Sequence, residues 1–329
     1  AAIEEGGLAQ RMRYKGGDFA AGQSLLDHEY ARINTTPDYG QWTFYVRSDA
    51  GSPGSDGRTV YLARDFSTMI DSNGQNHIVI DGLAVRGGVA AHGTSAILLR
   101  NSEFVTVRNS EVYFSKIAIG TLAPVPTGGP HYYARHSTIE RNSVHDNLED
   151  GIYFWGRSSY NVIRDNDVYD NWTLAGGGGD EIGDRVGIGF MASSPSVPAS
   201  DMTGNVIERN RVHGNGTYGK VRDSAVVAYV TSGTEVRYNQ IYDNRQGAFY
   251  FAWSDNSRFY YNLVYGNRAT NARHVALIGN TGLSVLNNTI YGNSIEATAN
   301  DIYYCNYRLV AVDSPTNGAV VKNNIIAGN

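Results

Sequence analysis

A short pattern of apolar and polar residues recurs nine times along the chain. In each copy an apolar residue is followed three positions later by Asn, Asp or Ser, and a second apolar residue follows two positions after that. Successive copies are 23 to 44 residues apart, a spacing typical of stacked supersecondary units. The nine polar positions are Asp81, Ser110, Asn142, Asn166, Asn210, Asn239, Asn262, Asn288 and Asn324.

Each copy predicts two short strands that meet at a corner. The apolar positions are rich in Val and Ile and alternate with polar residues over very short runs, as in residues 206–215. Asn suits a corner because its short side chain tolerates the left-handed backbone region. Stacked copies would place Asn above Asn, so we expect the amides to form a hydrogen-bonded ladder.

The shortest interval, 23 residues, fits one turn of a three-stranded coil. Strands of successive turns would then be parallel, about 4.8 Å apart, with the apolar pairs in a narrow core. This arrangement, over residues 76–329, resembles the right-handed parallel β-helix that many polysaccharide-active enzymes share. The resemblance implies an all-β solenoid of nine or more coils. It leaves the reaction open, because function must be argued from a site.

The two ends of the chain depart from the repeat. We expect residues 1–40 to form an N-terminal extension or cap, with a short amphipathic helix within residues 24–33. Residues 42–46 and 59–63 are predicted strands that begin the stack, so residues 41–329 would form the β-helix domain. A stack that ended at Asn329 would expose a parallel edge, so we expect it to continue or be capped beyond that residue.

Composition narrows the classes of partner. Only four of the 27 basic residues are lysine and the net charge is −5, which argues against a nucleic-acid partner. No apolar run reaches eighteen residues, so a membrane partner is not predicted. The single cysteine, Cys305, excludes an internal disulfide. Abundant Tyr, Asn, Gly and Ser suit a hydroxyl-rich ligand, and we expect a secreted or periplasmic protein whose partner is a polysaccharide.

Two long intervals interrupt the regular coils. One carries the Gly- and Pro-rich residues 121–136, and the other carries residues 176–185 and 193–200. Because these inserts leave neighbouring coils, we expect them to wall a groove over the third to fifth coils.

Ionisable residues precede the third strand of several coils, and stacking would bring them together. The candidate catalytic residues are Asp150, Glu149, Asp180, Glu181, Asp184 and Asp223. The candidates for substrate binding are Lys116, Arg185, Lys220, Arg222, Tyr153, Trp155, Tyr250, Trp253 and His145.

Paired carboxylates favour glycoside hydrolysis. Acids in adjacent coils would start about 5 Å apart, and acids two coils apart about 10 Å. The first separation suits a retaining hydrolase, and Asp150 with Asp184 fits it. The second suits an inverting hydrolase, and Asp150 with Asp223 fits it. Hydrolysis requires no cofactor. A purely structural role is also open, since acids at such positions cap turns.

Three alternatives stay open beside hydrolysis. The same acids could hold Ca²⁺ for β-elimination, with Lys116, Lys220, Arg185 or Arg222 moving the proton. Residues 145–152 resemble the His-Asp-Asn…Asp-Gly stretch of mannuronan C5-epimerases, which implies a catalytic aspartate at Asp150. The Asp-Pro-His element of that family has no counterpart in residues 113–119. A non-catalytic glycan-binding rod would need neither clustered acids nor long inserts.

A column of aromatic rings follows the repeat. Three residues after the polar corner stand Tyr113, His145, Tyr169, His213, Tyr242, Tyr265 and Tyr291. We expect a structural ladder on the exterior, with a sugar-stacking platform as the alternative.

Overall fold

The computed structural model describes part of the chain, which divides into two units. One unit comprises Ala1–Arg64 with Leu174–Glu181, and the other comprises Asp65–Thr173 with Ile182–Asn329. The described residues are 2–5, 8–11, 13–14, 29–36, 41–46, 60–61, 68–87, 95–121, 132–171, 186–192, 201–216, 224–245, 247–269, 273–295, 308–313 and 317–328.

The second unit is built from three parallel sheets of nine strands each. Sheet 1 contains Ile70–Asp71, Ser95–Leu98, Ile117–Gly120, Ile152–Trp155, Val186–Met191, Ser224–Tyr229, Gly247–Ala252, Arg273–Ile278 and Arg308–Asp313. Sheet 2 contains Val79–Asp81, Thr106–Arg108, Thr138–Glu140, Val162–Arg164, Val206–Glu208, Glu235–Arg237, Arg258–Tyr260, Ser284–Leu286 and Val320–Lys322. Sheet 3 contains Ala84–Arg86, Glu111–Tyr113, Ser143–His145, Asp167–Tyr169, Arg211–His213, Gln240–Tyr242, Leu263–Tyr265, Thr289–Tyr291 and Ile325–Ala327.

The chain visits the three sheets in turn, so the nth strand of each sheet belongs to coil n. Two further parallel pairs join Ser102–Glu103 to Ala134–Arg135 and Arg268–Ala269 to Ser294–Ile295. These connections confirm the predicted parallel β-helix.

The core is filled by columns of aliphatic side chains in exact register along the stack. Ile139 pairs with Ile163 on sheet 2, and Val144 pairs with Val168 on sheet 3. All four are fully buried, whereas their strand neighbours are only partly buried, apart from the buried but ion-paired Glu140. Burial of one such side chain stabilises the fold by about 1.5–3 kcal/mol, so the repeated apolar pair explains why the coils stack.

The predicted asparagine ladder is present at the corner between sheets 2 and 3. The backbone N–H and Nδ2 of Asn166 both donate to Oδ1 of Asn210, each at 3.0 Å. Nδ2 of Asn210 also donates to the carbonyl of Ile163 at 2.9 Å. The same contacts recur along Asn142, Asn166, Asn210, Asn239, Asn262, Asn288 and Asn324. A second ladder follows sheet 3 through Asn147, Asn171, Asn215, Asn244, Asn267 and Asn293.

The conformational reason expected for these asparagines is wrong. The left-handed residue is the one before each corner Asn, as in Arg141, Asp165 and Arg209, whose φ angles are 52°, 56° and 54°. The Asn itself turns inward, where its amide satisfies backbone groups that a two-residue corner leaves without a strand partner.

The first copy of the repeat lies two residues away from its predicted register. The inward pair of coil 1 is Ile80 and Val85, which align with Val107 and Val112. The predicted pair was Ile78 and Leu83, and Leu83 is exposed. Asp81 is therefore not the corner, because its carboxylate faces outward and accepts hydrogen bonds from Arg108 and Asn109.

The first unit contains short strands, and the helix expected within residues 24–33 is wrong where the structure describes it. Glu29–Thr36 is a strand that pairs antiparallel with Gln41–Val46, in keeping with its Tyr, Ile and Thr content. Arg13–Tyr14 pairs with Glu29–Thr36, and Ala2–Glu5 pairs with Leu8–Arg11 and Val60–Tyr61. The strands expected near residues 42 and 59 thus exist but do not join the parallel stack. No helix in the described residues is long and apolar enough to cross a membrane.

The ladder predicts a large effect of removing one corner amide. Asn210→Ala would leave the Asn166 N–H and the Ile163 carbonyl buried without this partner, and should lower the free energy of unfolding by about 3 kcal/mol. Urea denaturation followed by circular dichroism measures this loss. Gln240→Ala, which removes an exposed amide from sheet 3, is the control and should change stability little. Equal effects of the two substitutions would contradict the role given to the ladder.

Candidate functional site

In coils 2 to 7, sheet 1 differs from the other sheets because both of its faces are buried. Ile152, Phe154, Ile188 and Phe190 point into the core. The opposite side, here called the outer face of sheet 1, forms a second apolar cluster. Its members are Ile117, Tyr153, Val186, Met191, Ala192, Val227, Tyr229, Val230, Tyr250 and Ala252, with Trp155 and Ile278 at its margin.

Hydrogen bonds fix the Tyr153 hydroxyl and the backbone of Trp155 on this face. The Tyr153 hydroxyl donates to Sδ of Met191 at 2.8 Å. Oγ1 of Thr121 donates to the Trp155 carbonyl at 2.7 Å and accepts from the Trp155 N–H at 2.8 Å. The Tyr153 and Trp155 rings meet edge to face, with centroids 5.9 Å apart. The outer face is therefore a structured aromatic surface.

Asp150 lies on this face just before the sheet 1 strand of coil 4. Ile152 pairs with Ile188 of the next coil. Asp150 and Val186 each lie two residues before these paired residues, so they occupy equivalent positions. Val186 belongs to the outer cluster, which places Asp150 on the same face. Only 2% of Asp150 is exposed. The Val186 N–H donates to its Oδ1 at 2.6 Å. Asp150 is thus held against the next coil.

Lys116 and Glu149 lie next to Asp150 in adjoining coils and pair with each other. Nζ of Lys116 is 3.2 Å from Oε1 of Glu149, and the Glu149 N–H donates to the Lys116 carbonyl at 2.8 Å. The structure therefore brings together three of the predicted site residues.

The remaining ionisable candidates lie outside the described residues. They are Asp180, Glu181, Asp184, Arg185, Lys220, Arg222 and Asp223. The pairings of Asp150 with Asp184 and with Asp223 accordingly stay predictions. Ca²⁺ binding stays a prediction too, since the part of the chain that the structure describes holds no cluster of three or more His, Cys, Asp or Glu residues suited to a metal.

The long inserts are all attached to strands of sheet 1. Sheets 2 and 3 are joined by two residues in every one of the nine coils. In contrast, residues 122–131 and 193–200 follow sheet 1 strands, and residues 172–185 and 217–223 precede them. Connectivity therefore assigns the chain's variable segments to both ends of the sheet 1 strands.

The aromatic candidates differ in how much of each ring reaches solvent. Tyr153 and Tyr250 are buried, Trp155 is half-buried and Trp253 is 41% exposed. Trp253 meets Tyr229 edge to face, with centroids 5.2 Å apart. Sequence analysis missed Tyr229, although it shares the register position of Trp155 through Met191. The available signal was an aromatic residue at the end of the sheet 1 strand in both coil 4 and coil 6.

His145 belongs to sheet 3 and to the ring ladder predicted there. Its ring stacks between Tyr113 and Tyr169, with centroids 5.3 and 4.8 Å away. The ladder continues through His213, Tyr242, Tyr265 and Tyr291 with nearly parallel rings. Because the rings face each other, they offer mainly edges to solvent. The predicted stack of rings is present, and His145 lies in a different sheet from Tyr153 and Trp155.

Both ring nitrogens of His145 face carboxylates. Nδ1 is 2.9 Å from Oδ2 of Asp146, and Nε2 is 3.0 Å from Oε1 of Glu111 in the preceding coil. Burial alone would lower the pKa of the His145 imidazole, but these hydrogen bonds outweigh burial and raise it above the ordinary value. When protonated, the imidazolium donates to both acids and links coils 2 and 3.

Comparison with known proteins defines the class. The chain belongs to the right-handed β-helix family, because the family model described as right handed beta helix region matches residues 68–326. No protein of curated function matches the chain.

Two solved structures illustrate the similarity. DFA-IIIase from Arthrobacter chlorophenolicus A6, in complex with GF2, has a TM-score of 0.51 and 16% identity over 79% of this chain and 54% of its own. The A-module of the Azotobacter vinelandii mannuronan C-5 epimerase AlgE6 has a TM-score of 0.44 and 16% identity, covering 77% and 65%. The chain spans about half the length of the first structure, and identities this low show the fold alone.

The His145 contacts predict a pH-dependent contribution to stability. The pKa is higher in the folded chain than the unfolded value of about 6.5. The stabilisation is therefore complete below about pH 6.5 and is lost as the pH rises through the folded pKa. The Tm difference between the wild type and His145→Gln should be largest near pH 5.5 and should narrow by roughly 2 °C toward about pH 9. A difference that stayed constant or widened with pH would contradict this assignment.

Proposed function

We propose that the chain is a carbohydrate-active enzyme that hydrolyses glycosidic bonds on the outer face of sheet 1. The observation that carries the proposal is the placement of Asp150, a buried carboxylate fixed on a face otherwise built of aromatic and apolar side chains. Binding sites for organic ligands combine such linings with a few placed polar groups. Membership of the β-helix family is compatible with this function but does not specify it.

Asp150 supplies one of the two carboxylates that most glycoside hydrolases need. The second would come from Asp180, Glu181, Asp184 or Asp223, with Asp184 leading to retention and Asp223 to inversion of the anomeric centre. Glu149 is less suited to this role because it is paired with Lys116. In this proposal Asp150 acts at the reacting bond, either as the acid or as its partner.

The surrounding side chains would bind the substrate. Trp155 in coil 4 and Tyr250 in coil 7 would shape the surface for a sugar. Arg185, Lys220 and Arg222 would donate hydrogen bonds to its hydroxyl groups. A polysaccharide substrate of this kind would place the protein outside the cytoplasm, secreted or in the periplasm.

The central test is the substitution Asp150→Asn. An asparagine Oδ1 can still accept the Val186 N–H, so the fold should persist, while the lost carboxylate should lower turnover by about 10²-fold or more. Release of reducing ends from dextran, inulin, alginate and carrageenan measures activity, and thermal unfolding measures folding.

Asp165→Asn is the matched control. Asp165 is an aspartate at a left-handed corner between sheets 2 and 3, paired with Arg209, and asparagine tolerates that backbone. This variant should retain wild-type turnover. Equal activity of Asp150→Asn and the wild type would remove Asp150 from the mechanism. Products that absorb ultraviolet light as unsaturated uronates would show that the reaction is elimination and not hydrolysis. Binding without products would favour a glycan-binding rod.

A further inference from the structure

Lys116 and Glu149 form an ion pair at the edge of the proposed site. Nζ of Lys116 is 3.2 Å from Oε1 of Glu149, and 13% and 27% of the two side chains are exposed. Charges that are partly withdrawn from water are screened less than charges at the surface, so they act more strongly on their neighbours. The pair can therefore influence an ionisable group that lies beside it.

Register places both residues of the pair next to Asp150. The Glu149 N–H donates to the Lys116 carbonyl at 2.8 Å, and the Ala118 N–H donates to the Asp150 carbonyl at 3.1 Å. Lys116 is therefore aligned with Glu149 across coils 3 and 4, and Asp150 is the residue that follows Glu149. These hydrogen bonds join backbone atoms, so they persist when either charged side chain is replaced.

The neighbours of Asp150 come from coils 3, 4 and 5. Coil 3 contributes Lys116 and coil 4 contributes Glu149. Coil 5 contributes Val186, which is uncharged and donates its N–H to the Asp150 carboxyl group. The charged residues 184–185 precede Val186 and lie outside the described residues. The described chain thus brings one positive and one negative side chain to this place, and each compensates the other.

Loss of this compensation would act on the Asp150 carboxyl group. Asp150 is buried, so little water is available to weaken the effect of a nearby charge. An unpaired negative charge favours the protonated carboxyl, and an unpaired positive charge favours the carboxylate. While Lys116 and Glu149 remain paired, neither effect acts alone.

We infer that Lys116 is a positioning residue of the proposed site: it acts on the charge of Asp150 through the ion pair with Glu149 and does not bind the substrate. The inference rests on the proposed function of Asp150, and it replaces the substrate-binding role predicted for Lys116 from the sequence. It holds whether Asp150 is the acid or its partner, because both roles depend on the protonation of the same carboxyl group.

The test removes the charges of the pair singly and together, and follows the pH dependence of kcat/KM. The substrate is whichever of dextran, inulin, alginate and carrageenan the wild type cleaves. Lys116→Met leaves Glu149 unpaired and should move one limb of the pH profile upward by about half a pH unit or more. Glu149→Gln leaves Lys116 unpaired and should move the same limb downward. The double variant has neither charge, so its limb should return to the wild-type position, and Lys116→Arg should shift the limb less than Lys116→Met does.

Arg164→Met is the matched control. Arg164 also pairs with a glutamate of the preceding coil, since its Nη2 is 2.7 Å from Oε2 of Glu140, but this pair lies on sheet 2. The substitution removes one cation from an ion pair between coils, away from Asp150, so the pH profile should keep its wild-type position. Thermal unfolding of every variant shows whether it is folded at the assay temperature.

The outcomes separate this inference from the proposed function. Opposite shifts in the two single variants, cancelled in the double variant, support the role of the ion pair. An unmoved limb in Lys116→Met overturns it, and so does a shift that the double variant keeps or that Arg164→Met shares. Turnover abolished by Asp150→Asn would then leave the proposed function standing. Wild-type turnover in Asp150→Asn overturns both, as does failure of the wild type to cleave any of the four polysaccharides.

Discussion

The hydrogen bond from one asparagine amide to the next is the interaction on which the structure depends. A corner of two residues leaves backbone groups that cannot join a strand, and these groups are buried. The amides of Asn166 and Asn210 satisfy them while joining one coil to the next. Because each ladder repeats at the coil spacing, it fixes the register of every strand beside it. Side chains far apart in sequence consequently align in columns.

These columns give the outer sides of the three sheets different roles. On sheet 2, Glu140, Arg164, Glu208 and Arg237 alternate in charge along one register line, with Arg164 2.7 Å from Glu140 and Arg237 2.8 Å from Glu208. On sheet 3 the stacked rings follow a similar line. Both columns join coil to coil, and the two-residue corners between these sheets leave no room for insertion. Only the strands of sheet 1 have connections of variable length at both ends. Sheet 1 can therefore carry a site without disturbing the stack.

The repeat predicted sheets 2 and 3 well because their register is local. Each strand pair lies within eight residues of sequence, and the apolar pair, the corner amide and the ring column all recur there. The first copy failed because Asp81 has the residue type of a corner but faces outward toward Arg108. The helix expected near Glu29 failed because antiparallel pairing with the next strand, Gln41–Val46, decides the conformation of this short segment.

The candidate site was less accessible to sequence reasoning. Asp150 could be found because it follows the repeat directly, and its pairing with the start of the next strand agrees with stacking. To place Tyr229 on the outer face, the register of sheet 1 must be known. The sequence does not give this register, because the strands of sheet 1 begin after inserts of different lengths. The partner of Asp150 depends on those inserts, and no periodicity specifies their path.

The proposed function requires that a saccharide bind beside Asp150 on sheet 1. The most direct test is a crystal structure of the Asp150→Asn variant with an oligosaccharide bound. The proposed function predicts saccharide density on the sheet 1 side, with one unit beside residue 150. A saccharide bound only to sheet 2 or sheet 3 would contradict it.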